Sequence, residues 1–158
     1  MNSLARDFAL NFAQEAPLEF GQTFTYTKVF LGKLDGEFVT LENYLNGRFG
    51  KHVNNTGDIF GHESELNMKA ETFVHYSYVA SAKQLMIVDI QGVNYSLSDP
   101  ETASSTLMAV DDTILLCSGN LSTTAIEQFL RKHTCNNTMS YLTWIKKRLL
   151  NLDQKEDN

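Results

Sequence analysis

The side chains with the most chemical potential in this sequence lie in the run VDIQGVNYSLSDP, residues 88–100. It places Asp89 and Asp99 ten residues apart, with Gln91 and Gly92 between them and Pro100 after. On a strand, residues two apart share a face, so Asp89 and Gln91 point together. Gly92 then lets the backbone turn sharply away, and Pro100 holds Asp99 extended. If the intervening loop folds back, two carboxylates and an amide oxygen converge. That donor set suits Mg²⁺ held on substrate phosphates, and one acid is placed to accept the proton of a phosphoryl acceptor. The same residues also read as plain turn chemistry, with aspartates bonding nearby N–H groups. Taken in isolation, the stretch favours the turn.

The elements that must position these residues follow from periodicity. Leu4, Phe8 and Phe12 recur every four residues, which predicts an amphipathic helix ending before Pro17. Residues 22–45 are rich in β-branched and aromatic side chains, and Leu34-Asp35-Gly36-Glu37 predicts a tight hairpin turn. The Gly- and Asn-rich residues 48–65 read as an extended loop. Residues 69–82 read as a helix burying Phe73 with Tyr76 or Tyr78, and 83–93 as one strand packed on both faces. Residues 96–106 read as loop, and 111–117 as a short strand. Thr124 and Glu127 match a capping box opening a helix with the stripe Ile126, Phe129 and Leu130. A last helix over 140–152 precedes a polar, disordered tail at 151–158. This order gives an α+β class, with residues 1–150 as one domain.

Composition narrows the function classes. A formal charge of −6 argues against a nucleic-acid partner, because no basic stripe is present to neutralise phosphates. The cluster Lys146-Lys147-Arg148 reads as a solvated helix face. No apolar run reaches the length of a membrane span and no signal-peptide layout opens the chain. No membrane partner and a cytoplasmic location are the expectations.

VDIQGV followed by SDP resembles the signature of the alpha-kinases, a family of atypical protein kinases, with Ser98 standing where the family has threonine. Residues 41–57, LENYLNGRFGKHVNNTG, resemble the family's hinge and Asn-rich loop. Residues 72–92 resemble the run into its catalytic strand, and residues 118–139 resemble its Gly-rich loop, helix and zinc-ligand motif. The resemblance covers about residues 4–142. It implies the hinge and C-terminal lobe of an alpha-kinase core, with ATP, Mg²⁺ and a protein substrate as partners. By position it implies Asp89 as the catalytic aspartate, and Gln91 and Asp99 as magnesium holders. It puts the hinge at Glu42 and Tyr44 against adenine, and Lys51 with Asn54 or Asn55 near phosphate. It implies a structural Zn²⁺ on His75, His133 and Cys135, with Met139 replacing the fourth ligand. A thioether is a poor zinc ligand, so the alternative there is an apolar plug.

Two departures bear on activity. The family's ATP-gripping lysine precedes the helix that opens this chain, and neither Lys28 nor Lys33 fits by order, so most of the small N-terminal lobe is expected to be missing. The glycine loop keeps only Gly119-Asn120-Leu121. A serine/threonine protein kinase is therefore one expectation, and an inactive pseudokinase or protein-binding scaffold the alternative.

Overall fold

Helix α1 (Asn2–Glu15) turns its small residues Ala5 and Ala9, and the fully buried Phe12, toward the interior. Leu4 and Phe8 flank that stripe and are partly buried. The computed structural model describes residues 1–61, 64–104 and 121–134. The expected strand over 111–117, the helix over 140–152, the tail, and both Cys135 and Met139 lie outside the described residues. After α1 a 3-10 turn, Leu18–Phe20, brings the Phe20 ring edge-on to Phe12 at 5.1 Å.

Strand β1 (Thr25–Tyr26) leads into the ribbon of β2 (Val29–Leu34) and β3 (Glu37–Glu42). The expected hairpin turn is present: Leu34 pairs with Glu37 across Asp35 (φ +50) and Gly36 (φ +93). Such two-residue turns with both central φ positive match the twist of paired strands. The ribbon is a two-stranded sheet, and its Phe30, Leu31, Leu34, Phe38 and Leu41 are all exposed. A lone hairpin is marginal in water.

Strand β4 (Gly50–Val53) falls inside the expected loop. Helix α2 (Glu65–Ala80) starts earlier than its apolar pattern predicts, because Ser64 caps it by accepting from Asn67 N at 3.1 Å. Residues 72–77 of α2 are buried on every side, as expected for a central helix rather than a surface one. The predicted strand over 83–93 divides into β5 (Leu85–Val88) and β6 (Ile90–Val93). Residues expected as loop form β7 (Ser96–Leu97) and β8 (Glu101–Ser104), the latter pairing antiparallel with β5. The main sheet has the order β1-β7-β6-β4, with β1 and β7 parallel and the other pairs antiparallel.

Helix α3 (Ser122–Lys132) begins two residues before the expected capping box, so Thr124 lies within it and no side-chain cap forms. Its buried residues are Ala125, Ile126 and Phe129, whereas Leu130 is exposed. The helix seats on Gly57, where a Cβ would stand 2.3 Å from Ala125 O. Mixed helix and sheet in one packed body is the α+β class.

Candidate active site

The chain changes sheets at Asp89. β5 belongs to the pair with β8, and β6 to the four-stranded sheet. Asp89, between them, has φ +55, a left-handed conformation that interrupts the strand. Aspartate tolerates this region better than most residues. The break is fixed from outside: Asp89 N donates to Asn54 O at 3.3 Å. Asp89 and Gln91 do meet, but across this kink rather than along one straight strand. Gln91 Nε2 donates to Asp89 Oδ2 at 2.9 Å, and Lys51 Nζ stands 2.6 Å from Asp89 Oδ1. Lys51 is in register with Gln91 across β4 and β6, which puts both side chains on one face.

Asp99 reaches the same place through its backbone. Gln91 Nε2 donates to Asp99 O at 3.4 Å, and Ser98 N to Gln91 O at 3.1 Å. Asp99 is not extended as Pro100 predicts: its φ is +46 and the residue is exposed. Proline disfavours the right-handed region before it, and aspartate can take the left-handed one. Gly92 does not turn the chain away either. It stays within β6, and the reversal falls at Asn94 and Tyr95, after which Ser96 pairs with Val93. Its lack of a side chain is required because Ser96 O would lie 2.1 Å from a Cβ.

The remaining expected nucleotide residues are arranged differently. Asn54 Oδ1 accepts from Thr56 N, Thr56 Oγ1 and Asp58 N at 3.0, 2.7 and 2.8 Å, so its side chain organises its own turn. Asn55 is half-buried in the same turn. Asp58 is tied to α3 by Lys132, which holds its carboxyl well below the usual range. Glu42 accepts from Thr27 Oγ1 at 2.9 Å at the end of β3. Tyr44 is 90% exposed and lines an open hollow of about 300 Å³ with Gln22, Asn46, Asn94 and Ser96.

A second cluster joins α2 to the end of α3. His75 Nδ1 and His133 Nε2 face each other at 3.1 Å, and His133 Nδ1 bonds Glu71 Oε2 at 3.1 Å. Phe129 stacks on the His133 ring at 4.9 Å. With Glu71 accepting from Nδ1, His133 Nε2 is the acceptor for His75 Nδ1–H. Glu71 was not expected from the sequence, although it precedes His75 by one helical turn. Among the described residues no group of three or more His, Cys, Asp or Glu side chains is arranged to hold a metal. The two facing nitrogens nonetheless suit one: tetrahedral Zn–N bonds of about 2.05 Å set two nitrogens about 3.3 Å apart.

Burial, and secondarily His133, push the His75 imidazole down from 6.5 to about 4. His75 is therefore neutral in the folded protein at pH 7, while the unfolded chain takes up its proton near pH 6.5. Between these values the unfolded state binds more protons, so stability falls as pH drops through this window. The expected loss from pH 7 to about pH 4 is roughly 3 kcal/mol for the metal-free protein. Urea midpoints measured across the window should flatten in His75→Gln.

The fold and the neighbouring sequence have clear counterparts. The alpha-kinase family model matches residues 1–139. Transient receptor potential cation channel subfamily M member 6 of Homo sapiens is 29% identical over 135 residues, covering 84% of this chain and 7% of that protein. Myosin heavy chain kinase C of Dictyostelium discoideum is 34% identical over 101 residues, covering 64% of this chain and 12% of that protein. The crystal structure of the alpha-kinase domain of myosin heavy chain kinase A in complex with AMP superimposes with a TM-score of 0.73 at 25% identity. That match covers 90% of this chain and 56% of the solved one. This chain thus spans a small part of its curated relatives and about half of a solved catalytic domain. With a family match across nearly its whole length and the same fold, the chain belongs to the alpha-kinase family.

Proposed function

We propose that this chain is the hinge and C-terminal lobe of an alpha-type serine/threonine protein kinase, which binds Mg-ATP and passes the γ-phosphoryl group to a protein hydroxyl. The observation that supports this reading is the convergence of Lys51, Asp89 and Gln91, with Asp99 against Gln91. In this reading Asp89 accepts the proton of the attacking hydroxyl. The new bond forms between that oxygen and the γ-phosphorus, the bond to the bridging oxygen breaks, and ADP leaves. Lys51 pairs with Asp89 before nucleotide binds and turns to phosphate afterwards. With Nε2 engaged on Asp89 and Asp99, Gln91 Oε1 and the exposed Asp99 carboxylate would hold magnesium. Bound Mg²⁺ would neutralise phosphate charge during transfer. Glu42 and Tyr44 form the hinge against adenine, and Asn54 and Asn55 the loop behind the phosphates. A complex of a family member with AMP supports the nucleotide assignment.

In this reading His75 and His133, with Cys135 as a third ligand, would hold a structural zinc. A cytoplasmic location belongs to the same proposal. Among the described residues, no helix is long and apolar enough to cross a membrane.

One observation favours a binding module without transfer. Lys28 lies over Phe30 at 4.7 Å and Lys33 over Phe38 at 5.7 Å, both on the exposed ribbon. Neither is directed at Asp89, and the cation expected to grip the phosphates from above has no counterpart among the described residues. Calorimetric titration of Mg-ATP into the protein and into Asp99→Ala separates the readings. The kinase reading expects saturable binding that weakens at least about tenfold in the variant, a loss of about 1.4 kcal/mol. No binding by the well-folded parent would leave the scaffold.

A further inference from the structure

Glu71 stands one turn before His75 on the same side of α2, and both side chains reach the end of α3. There His133 closes the helix as its C-cap, its N–H donating to Phe129 O at 2.8 Å. The His133 ring is held on three sides. Phe129 lies on its face at an interplanar angle of 11°, and the Glu71 carboxylate accepts from Nδ1. His75 meets Nε2, with the two rings at 87°. The His133 side chain is 3% exposed and that of Glu71 16%. Phosphoryl transfer at Asp89 has no use for this carboxylate. Nor is it placed as a ligand beside His75, since an acceptor on Nδ1 lies across the ring from anything bound at Nε2.

We propose that Glu71 is a positioning residue for a divalent metal, fixing His133 as the Nδ1–H tautomer so that Nε2 keeps a lone pair directed at His75. This rests on His75 and His133 holding zinc in the proposed reading. A neutral imidazole has one N–H and one acceptor nitrogen, and only the acceptor can bind a metal. Metal-binding histidines commonly donate their other N–H to a carboxylate, which sets the tautomer and makes the ligating nitrogen more basic. The two histidines are therefore unequal. His133 has its metal-binding tautomer before an ion arrives. His75 does not, because its Nδ1 carries the hydrogen donated to His133 Nε2. To bind at Nδ1 it must carry its hydrogen on Nε2 instead, which leaves the ring neutral. His75 is the side chain that switches, and Glu71 is the reason His133 need not. A carboxylate that only fastened α3 to α2 would matter to stability but not to metal affinity in the folded protein.

The test is nitrogen-15 NMR of the whole chain, labelled in its histidine rings, at about pH 8, where an ordinary imidazole is neutral. The spectra read which ring nitrogen carries hydrogen. Without metal, His75 and His133 should both show Nδ1–H. With Zn²⁺ alone added, His75 should change to Nε2–H while His133 stays Nδ1–H. Glu71→Leu removes the acceptor, so His133 should revert to Nε2–H in the metal-free protein. Its Zn²⁺ affinity, measured against a chromophoric chelator, should fall by about tenfold to a hundredfold. Glu71→Gln, whose amide oxygen still accepts, should keep the parent tautomers and lose less affinity. His133 found as Nε2–H or as imidazolium in the metal-free parent would overturn the proposal, and that arm stands even if Glu71→Leu does not fold. So would Zn²⁺ binding that leaves His75 as Nδ1–H. Equal Zn²⁺ affinity in the parent and in folded Glu71→Leu would remove Glu71 and spare the zinc site. No Zn²⁺ binding by the folded parent would remove both.

Discussion

Gly92→Ala is expected to cost more than about 4 kcal/mol and to abolish nucleotide binding. A Cβ at this position would stand 2.1 Å from Ser96 O and 2.8 Å from Leu97 Cα. Those are backbone atoms of β7, so no side chain can rotate out of the way. The strand pair would have to separate, and β7 is also the strand that pairs with β1. Separating it releases Tyr26 and lets Asp99 move from Gln91. Strain adds to the clash, because φ at Gly92 is +156. Gly36→Ala isolates strain from clash: its φ is +93, but nothing lies within 4 Å of the added carbon. That variant is expected to lose only about 1–2 kcal/mol. Urea unfolding of both variants, with Mg-ATP titration of any that fold, measures the difference. Equal losses would mean that left-handed strain, and not the approach of β7, sets the requirement at Gly92.

The sequence made some of this geometry visible and hid the rest for identifiable reasons. The ribbon turn was legible because Asp35-Gly36 satisfies a local backbone demand, and local demands are written in adjacent residues. Helix α1 was legible from its four-residue spacing. The division of residues 85–93 into two strands was not, since nothing in LMIVDIQGV distinguishes a continuous strand from one broken at Asp89. The break depends on Asn54 O, 35 residues away in sequence. Strands β4 and β8 were missed for the same reason: Gly50 and Glu101 carry weak β preference, and partners on β6 and β5 decide their state. The capping box at Thr124 was overridden because α3 begins two residues earlier. Asp89, Gln91 and Asp99 were found as a motif, yet the loop residue Asn54 turns its side chain onto its own backbone.

Phe73→Ala is expected to destabilise the protein by about 3–5 kcal/mol, a large share of the roughly 5–15 kcal/mol typical of a domain. Phe73 is fully buried and its ring centroid lies 5.7 Å from Phe12 and 6.3 Å from both Phe24 and Tyr26. One side chain thus joins α1, β1 and α2. Removing it leaves a cavity that the surrounding rings, one on α1 and two at β1, cannot fill without leaving their own elements, so collapse is limited and the cost sits high in the range. Phe38 gives the contrast. It is as large but 75% exposed on the β2–β3 ribbon, so Phe38→Ser should change stability by no more than about 0.5 kcal/mol. Chemical denaturation of the pair tests whether the core around α2 sustains this chain independently of the ribbon. A loss in Phe38→Ser comparable to that in Phe73→Ala would show that the ribbon folds as part of the same cooperative unit. If only Phe73→Ala is costly, the aromatic core where α1, β1 and α2 meet carries the stability of the chain, and the exposed ribbon adds little to it.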